Sequence, residues 1–249
     1  MVAMEIINSY KNIPKRLQGG VVALGNFDGV HLGHRVLLKE TIKLAYELNV
    51  FPGVMTFAPH PKKFFQPENS FFQLTNSQQQ SEIISKMGIG VIYEIIFNEQ
   101  LSKMLPQEFV EEVLIGGLNV GHLVVGWNFK FGSRRIGNID TLRELCNSHS
   151  IGLSVVDPET DNKNTLYSST RIREDIANGN IESAAKTLGY NWSVSGKVIS
   201  GDKRGRDLGF PTINMELDDG IILLPGIYAT FVFIDDKKYK SISYYGDRP

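Results

Sequence analysis

Two histidines three residues apart, His31 and His34, lie in the run Gly25-Asn-Phe-Asp-Gly-Val-His-Leu-Gly-His34. On a helix this spacing puts both imidazoles on one face of a turn. Gly29 and Gly33 let the backbone turn tightly and approach a ligand, and the first turn of the following helix offers unpaired N–H groups at the positive end of its dipole. Two imidazoles beside such a phosphate cradle suit phosphoryl or nucleotidyl transfer, where positioning and neutralisation of developing charge do most of the catalysis. A helix cap and a metal site are the other readings. Zinc would need further ligands, and neither the single cysteine, Cys146, nor the scattered His60, His122 and His149 supplies an obvious set. A second polar run, Ser168-Ser169-Thr170-Arg171-Ile172-Arg173, precedes a helical pattern. It reads first as an N-cap. Two arginines in a first turn oppose the helix dipole, an arrangement that makes sense if anionic oxygens sit there for Arg171 or Arg173 to pair with.

The elements that must position these groups alternate. Short apolar runs at Gly20–Gly25, Val50–Phe57, Gly90–Phe97, Gly121–Gly126 and Ile151–Asp157 are separated by segments of helical period at about 33–48, 77–87, 106–117 and 138–149. This is the pattern of a parallel sheet built through βαβ crossovers, with strands buried on both faces. Leu37, Leu38, Thr41, Leu44, Ala45 and Leu48 form one stripe of the first helix, and Pro106 suits a first turn. Gln78–Gln80 reads as a solvated helix start. Two short helices, about 170–178 and 181–189, follow. From Trp192 onward alternating β-branched and aromatic residues predict an all-β tail, with a boundary near residue 188.

The composition excludes several classes of function. The 249 residues carry a net charge of −1 and 42% hydrophobic residues, so the chain is globular and has no basic domain to draw nucleic acid or an anionic membrane. No apolar run approaches a membrane span, the N-terminus lacks a signal-peptide pattern, and a single cysteine points to a reducing compartment; the expectation is a cytoplasmic protein.

The segment Gly25–His34 resembles the form of the HxGH signature found in prokaryotic FAD synthetases, which usually join an FMN adenylyltransferase domain to a riboflavin kinase domain. Ser168–Arg173 resembles the family's S-S-T-x-I-R motif, and Thr56-Phe57-Ala58-Pro59-His60-Pro61 its T-F-x-P-H-P loop, although position 58, often acidic in the family, is alanine here. Gly126-Trp-Asn-Phe-Lys-Phe-Gly132 is similar to a segment associated with the flavin. The resemblance implies a Rossmann-like nucleotidylyltransferase domain over residues 1–188 that makes FAD and pyrophosphate from FMN and ATP with Mg²⁺. His31, His34 and Arg171 would be catalytic. Gly25, Phe27, Asp28, Gly33, Ser168, Ser169, Thr170 and Arg173 would bind ATP, and Phe57, His60, Asn128 and Phe129 the flavin; no protein metal ligands are implied.

Residues 189–249 resemble part of the riboflavin kinase module. Gly196–Asn214 carries a Gly-rich basic run leading into Gly-Phe-Pro-Thr-Ile-Asn, and Thr212 and Asn214 share one side of an extended strand. Pro225–Ala229 and Gly246–Pro249 match further family segments. In the family, more strands, a C-terminal helix and the catalytic carboxylate come after the position of Pro249. The expectation is therefore a partial all-β barrel with a vestigial kinase site, no riboflavin phosphorylation, and open β edges available for self-association. Two rival readings are another HxGH nucleotidylyltransferase and a non-catalytic flavin-binding regulatory protein.

Overall fold

The computed structural model describes residues 4–68, 71–201, 209, 212–217, 220–235 and 237–246. Its centre is a six-stranded, all-parallel sheet made of β1 (Glu5–Ile7), β2 (Val21–Leu24), β3 (Pro52–Ala58), β4 (Val91–Ile96), β5 (His122–Gly126) and β6 (Gly152–Val156), in the order β1-β4-β3-β2-β5-β6. The five strands expected from apolar runs are all present. Counted from β2, they fall in the doubly wound 3-2-1-4-5 order, with the direction of winding reversing between β2 and β5. The edge strand β1 was not foreseen: three residues pairing with Val91–Tyr93 are too few to show a period.

Side chains along each strand divide by the period of two. Val22, Leu24, Met55, Tyr93, Leu123 and Val125 enter one core, and Val21, Ala23, Val54, Ile92 and Val124 the other. The first core is covered by a helix that starts at Pro106 and continues from Phe109 to Gly117 with π-type hydrogen bonding, and by α6 (Ile139–Ser148). The second is covered by α1 (Leu32–Glu47) and α3 (Ser77–Ser85). Short helices α2 (Pro61–Phe65) and α4 (Glu99–Lys103) leave the ends of β3 and β4. With the helix from Pro106 taken as α5, the α1 stripe buries Leu38, Thr41 and Ala45 fully, while Leu48 lies past the helix end and is exposed. The expectation of burial on both faces holds for β2 and fails for the edge strand β6, which is only half-buried.

A third apolar cluster joins α7 (Ser169–Ala177) and α8 (Ile181–Leu188) to Phe72 and Leu74, and Tyr190, Trp192, Ile221 and Leu223 pack onto it. The all-β tail expected from Trp192 begins four residues later, at Gly196. Residues 191–195 form no strand; Trp192 instead donates from its indole to Leu74 O at 3.0 Å and meets Phe72 edge-on. Beyond it come two antiparallel ribbons, β7 (Gly196–Ile199) with β8 (Asn214–Leu217) and β9 (Gly226–Ile234) with β10 (Lys237–Tyr245), which form separate sheets among the described residues. Most of the Gly-rich basic run, Asp202–Leu208, together with Phe210, Pro211 and Asp247–Pro249, lies outside the described residues. No helix among the described residues is long and apolar enough to cross a membrane.

Candidate active site

The carboxyl ends of β3, β2 and β5 lie side by side at the point where the winding reverses, and the loop from β2 to α1 rises between them. Within it Phe27, Gly29 and Val30 all have positive φ, at 47°, 79° and 36°. For a β-branched residue such as Val30 this is strained, at about 1–3 kcal/mol per residue, and it persists only if the surroundings over-determine it. They do. Phe27 and Val30 are buried in the second core, and Val30 N–H donates to Phe27 O at 2.9 Å.

The loop's other carbonyls are taken by side chains, all but Arg35 from distant parts of the chain. Gln80 and Thr56 donate to Asn26 O at 2.8 and 3.3 Å, Ser169 to Asp28 O at 2.8 Å, Tyr190 to Gly29 O at 2.8 Å, and Arg35 to Val30 O at 3.2 Å. Thr75 Oγ1 accepts from Gly29 N–H at 3.0 Å. Gln80 is thus a buried tether of the loop, contrary to the reading of Gln78–Gln80 as wholly solvated.

His31 is the N-cap of α1: its Nδ1 accepts from His34 N–H at 3.3 Å. A neutral ring whose Nδ1 accepts carries its proton on Nε2, which leaves an N–H available as a donor. The two imidazoles stack with centroids 3.6 Å apart, and Gly33 leaves room beside them: a Cβ there would lie 3.2 Å from the His31 ring and would press on it. Burial, with Arg173 nearby, pushes His31 down to about 4; burial and the adjoining His31 push His34 well below its ordinary value. Both are neutral at pH 7. His34 Nδ1 is buried and has no hydrogen-bond partner in the protein, a condition that a bound ligand would relieve.

Asp28 and Arg173, both expected to contact nucleotide, are bonded to each other. Asp28 also accepts from Leu74 N–H and Thr75 N–H at 2.9 and 3.1 Å, and burial raises its carboxyl despite the pull of Arg173. Arg173 further donates to Phe72 O at 2.6 Å and lies over Phe71, whose other stacking partner is His60 at 4.5 Å. This chain of contacts links the β2–α1 loop to the exit of β3. His60 caps α2 through Lys62 N–H, and Phe57 meets Phe97 edge-on.

Ser168 caps α7 by accepting from Arg171 N–H at 3.2 Å, Ser169 is spent on Asp28 O, and Thr170 is exposed at the same helix end. Arg171 pairs with Asp161 at 2.9 Å and keeps a second nitrogen, Nη1, buried without a partner. Asn128 is exposed in the turn that follows β5, and Phe129 stacks on Phe131 against the first core. The motifs at 25–34, 56–61 and 126–132 therefore lie at the carboxyl ends of the neighbouring strands β2, β3 and β5, and 168–173 is bonded to the first of them through Ser169 and Arg173. Asn214 opens β8, in a separate sheet, and Thr212 lies two residues before it, outside any strand. The tethers Thr75, Gln80 and Tyr190 were not anticipated, each an ordinary polar residue whose partner lies outside any local window, and neither was Asp161 beside Arg171.

A family model described as FAD synthetase matches residues 13–171, and one described as riboflavin kinase matches residues 188–249. A bifunctional riboflavin kinase/FMN adenylyltransferase of Buchnera aphidicola subsp. Schizaphis graminum is 36% identical over 247 residues, covering 99% of this chain and 79% of that protein. The protein of that name from Bacillus subtilis is 33% identical, covering 100% and 78%. Among solved structures, one described as a macrolide-efflux protein from Streptococcus pneumoniae superposes with a TM-score of 0.86 at 31% identity, covering 98% of this chain and 79% of that one.

Proposed function

The chain belongs to the bifunctional riboflavin kinase/FMN adenylyltransferase family, and from that premise we propose that its first domain joins FMN to the adenylyl group of ATP, giving FAD and pyrophosphate. The observation that carries this reading is the neutral, stacked His31–His34 pair at the start of α1, in a loop whose carbonyls are tied back into the protein. An oxygen of the FMN phosphate attacks the α-phosphorus of ATP as the bond to the bridging oxygen of pyrophosphate breaks, and no enzyme nucleophile takes part. His31 donates from Nε2 to the oxyanion developing on the α-phosphate, and His34 meets the phosphates from the same face. Arg171 and Thr170, with the N–H groups at the start of α7, hold the phosphate chain, and Asn128 touches the flavin.

Mg²⁺ enters as part of the substrate, MgATP. Among the described residues no group of three or more His, Cys, Asp or Glu side chains gathers that could hold a metal ion. Asp28, the acid of the motif, is bonded to Arg173 and two backbone amides. These residues do not fit a resident divalent ion, and no step is assigned to one.

The proposal places the division between the two modules near residue 188, with Tyr190 and Trp192 fastening the connector to the first. It also holds that a polypeptide of these 249 residues does not phosphorylate riboflavin. In support, the β7–β8 and β9–β10 ribbons share no sheet among the described residues, and Thr212 is exposed.

The deciding experiment incubates purified protein with FMN and MgATP and separates the products by chromatography. FAD and pyrophosphate in equal amounts are expected. Folded protein that returns FMN unchanged over a range of divalent cations refutes the reading.

A further inference from the structure

The loop between β6 and α7 contains a carboxylate with an unusually fixed orientation. Asp161 Oδ1 accepts from Lys163 N–H at 2.8 Å and Thr165 N–H at 3.0 Å, and the turn is closed by Asp161 N–H to Thr165 O and Asn164 N–H to Asp161 O, both at 2.9 Å. An antiparallel bridge between Thr160 and Leu166 seals its base. These two amide donors, with Arg171, hold the carboxyl below its ordinary value, so it is ionised at neutral pH. Its other oxygen, Oδ2, faces the guanidinium of Arg171 at 2.9 Å. Arg171 is in the first turn of α7, and its Nη1 is buried with no hydrogen-bond partner in the protein. A buried guanidinium N–H left unmade is costly, and one that an anion fills on binding is a pre-oriented donor.

We propose that Asp161 is a positioning residue for Arg171: its own turn locks one carboxylate oxygen, the other grips one guanidinium nitrogen, and the remaining nitrogen is thereby held for a phosphate oxygen of the nucleotide. This rests on the reading of Arg171 as a phosphate-holding residue in adenylyl transfer. Without its anchor the long side chain samples many rotamers, and part of the binding energy goes into ordering it.

The test is a double-mutant cycle in the full chain with Asp161→Asn, Arg171→Ala and the pair, read both as kcat/KM for ATP in FAD formation and as Kd for MgATP by calorimetry. Asparagine keeps an Oδ1 acceptor for Lys163 and Thr165, so the turn is retained while the ion pair is lost. Asp161→Asn should lower kcat/KM by about tenfold, the scale of one charge-assisted hydrogen bond, and should cost nothing further once Arg171 is alanine. A second variant, Arg171→Lys, keeps a cation for Asp161 but has no second nitrogen, and it should lose as much as Arg171→Ala. A change within twofold in Asp161→Asn, fully additive effects, or wild-type efficiency in Arg171→Lys overturns the proposal. If the wild type binds MgATP yet makes no FAD, the adenylyl-transfer reading fails by itself, and the cycle in Kd still decides Asp161. Absence of MgATP binding by the wild type overturns both.

Discussion

Acid should destabilise this protein through its buried histidines. His31 and His60 are 6% and 8% exposed, and burial holds both neutral down to about pH 4. An unfolded chain takes up a proton on each near pH 6.5. Their folded values are depressed, so the stability they confer is complete above 6.5 and is lost as pH falls from 6.5 toward 4. The linkage relation gives about 1.4 kcal/mol per pH unit for each proton, and integration from pH 7 to pH 5 gives about 2 kcal/mol per histidine, or about 4 kcal/mol for the two. His34 and His122, also lowered by burial, act in the same direction. Asp28, raised by burial, acts in the opposite direction, but through a single group. Against a typical stability of about 5–15 kcal/mol this is a large fraction. Urea unfolding followed by tryptophan fluorescence at pH 7, 6 and 5 measures it, and His60→Gln should reduce the loss between pH 7 and 5 by about 2 kcal/mol. A wild-type change below about 1 kcal/mol over that range would show that these imidazoles are already protonated or open to water in the folded state.

Replacing His31 or His34 with alanine should lower kcat by about 10²–10³ while changing the Kd for MgATP far less, as steady-state rates and calorimetry would show; turnover near the wild-type level in both variants argues against a catalytic role. Asn128→Ala should act on the apparent affinity for FMN, and an effect confined to kcat contradicts flavin contact. Tyr190→Phe removes the donor to Gly29 O, and about 1 kcal/mol of stability should go with it; an unchanged unfolding midpoint would mean water replaces the hydroxyl. With riboflavin and MgATP the 249-residue polypeptide should form no FMN, and steady FMN production would reverse that expectation.

What could be read from the residues alone was what is local. Val21–Leu24 and His122–Gly126 are apolar runs flanked by glycine, and α1 declares itself through Leu38, Thr41 and Ala45 at helical spacing. β1 escaped because three residues carry no period and its pairing depends on β4. Trp192 looked like strand because β-rich sequence follows it, yet the pull of Phe72 and Leu74 decided its place. At the site, the motif positions were visible because they cluster. Their state was not. That Asp28 is spent on Arg173 follows from a partner far along the chain, and that His31 is neutral with its proton on Nε2 follows from burial and from the local cap it makes to His34 N–H.

The tethers of the β2–α1 loop also order events in time. Asn26, Asp28 and Gly29 are fastened by residues 30, 54, 141 and 161 positions downstream, the last being Tyr190. During synthesis from the N-terminus, the loop is made early but cannot take its shape until α7, α8 and Tyr190 have left the ribosome. A nascent chain shorter than that holds both histidines without the bonds from Ser169 and Tyr190 that fix the loop. Long-range closure of this kind slows folding.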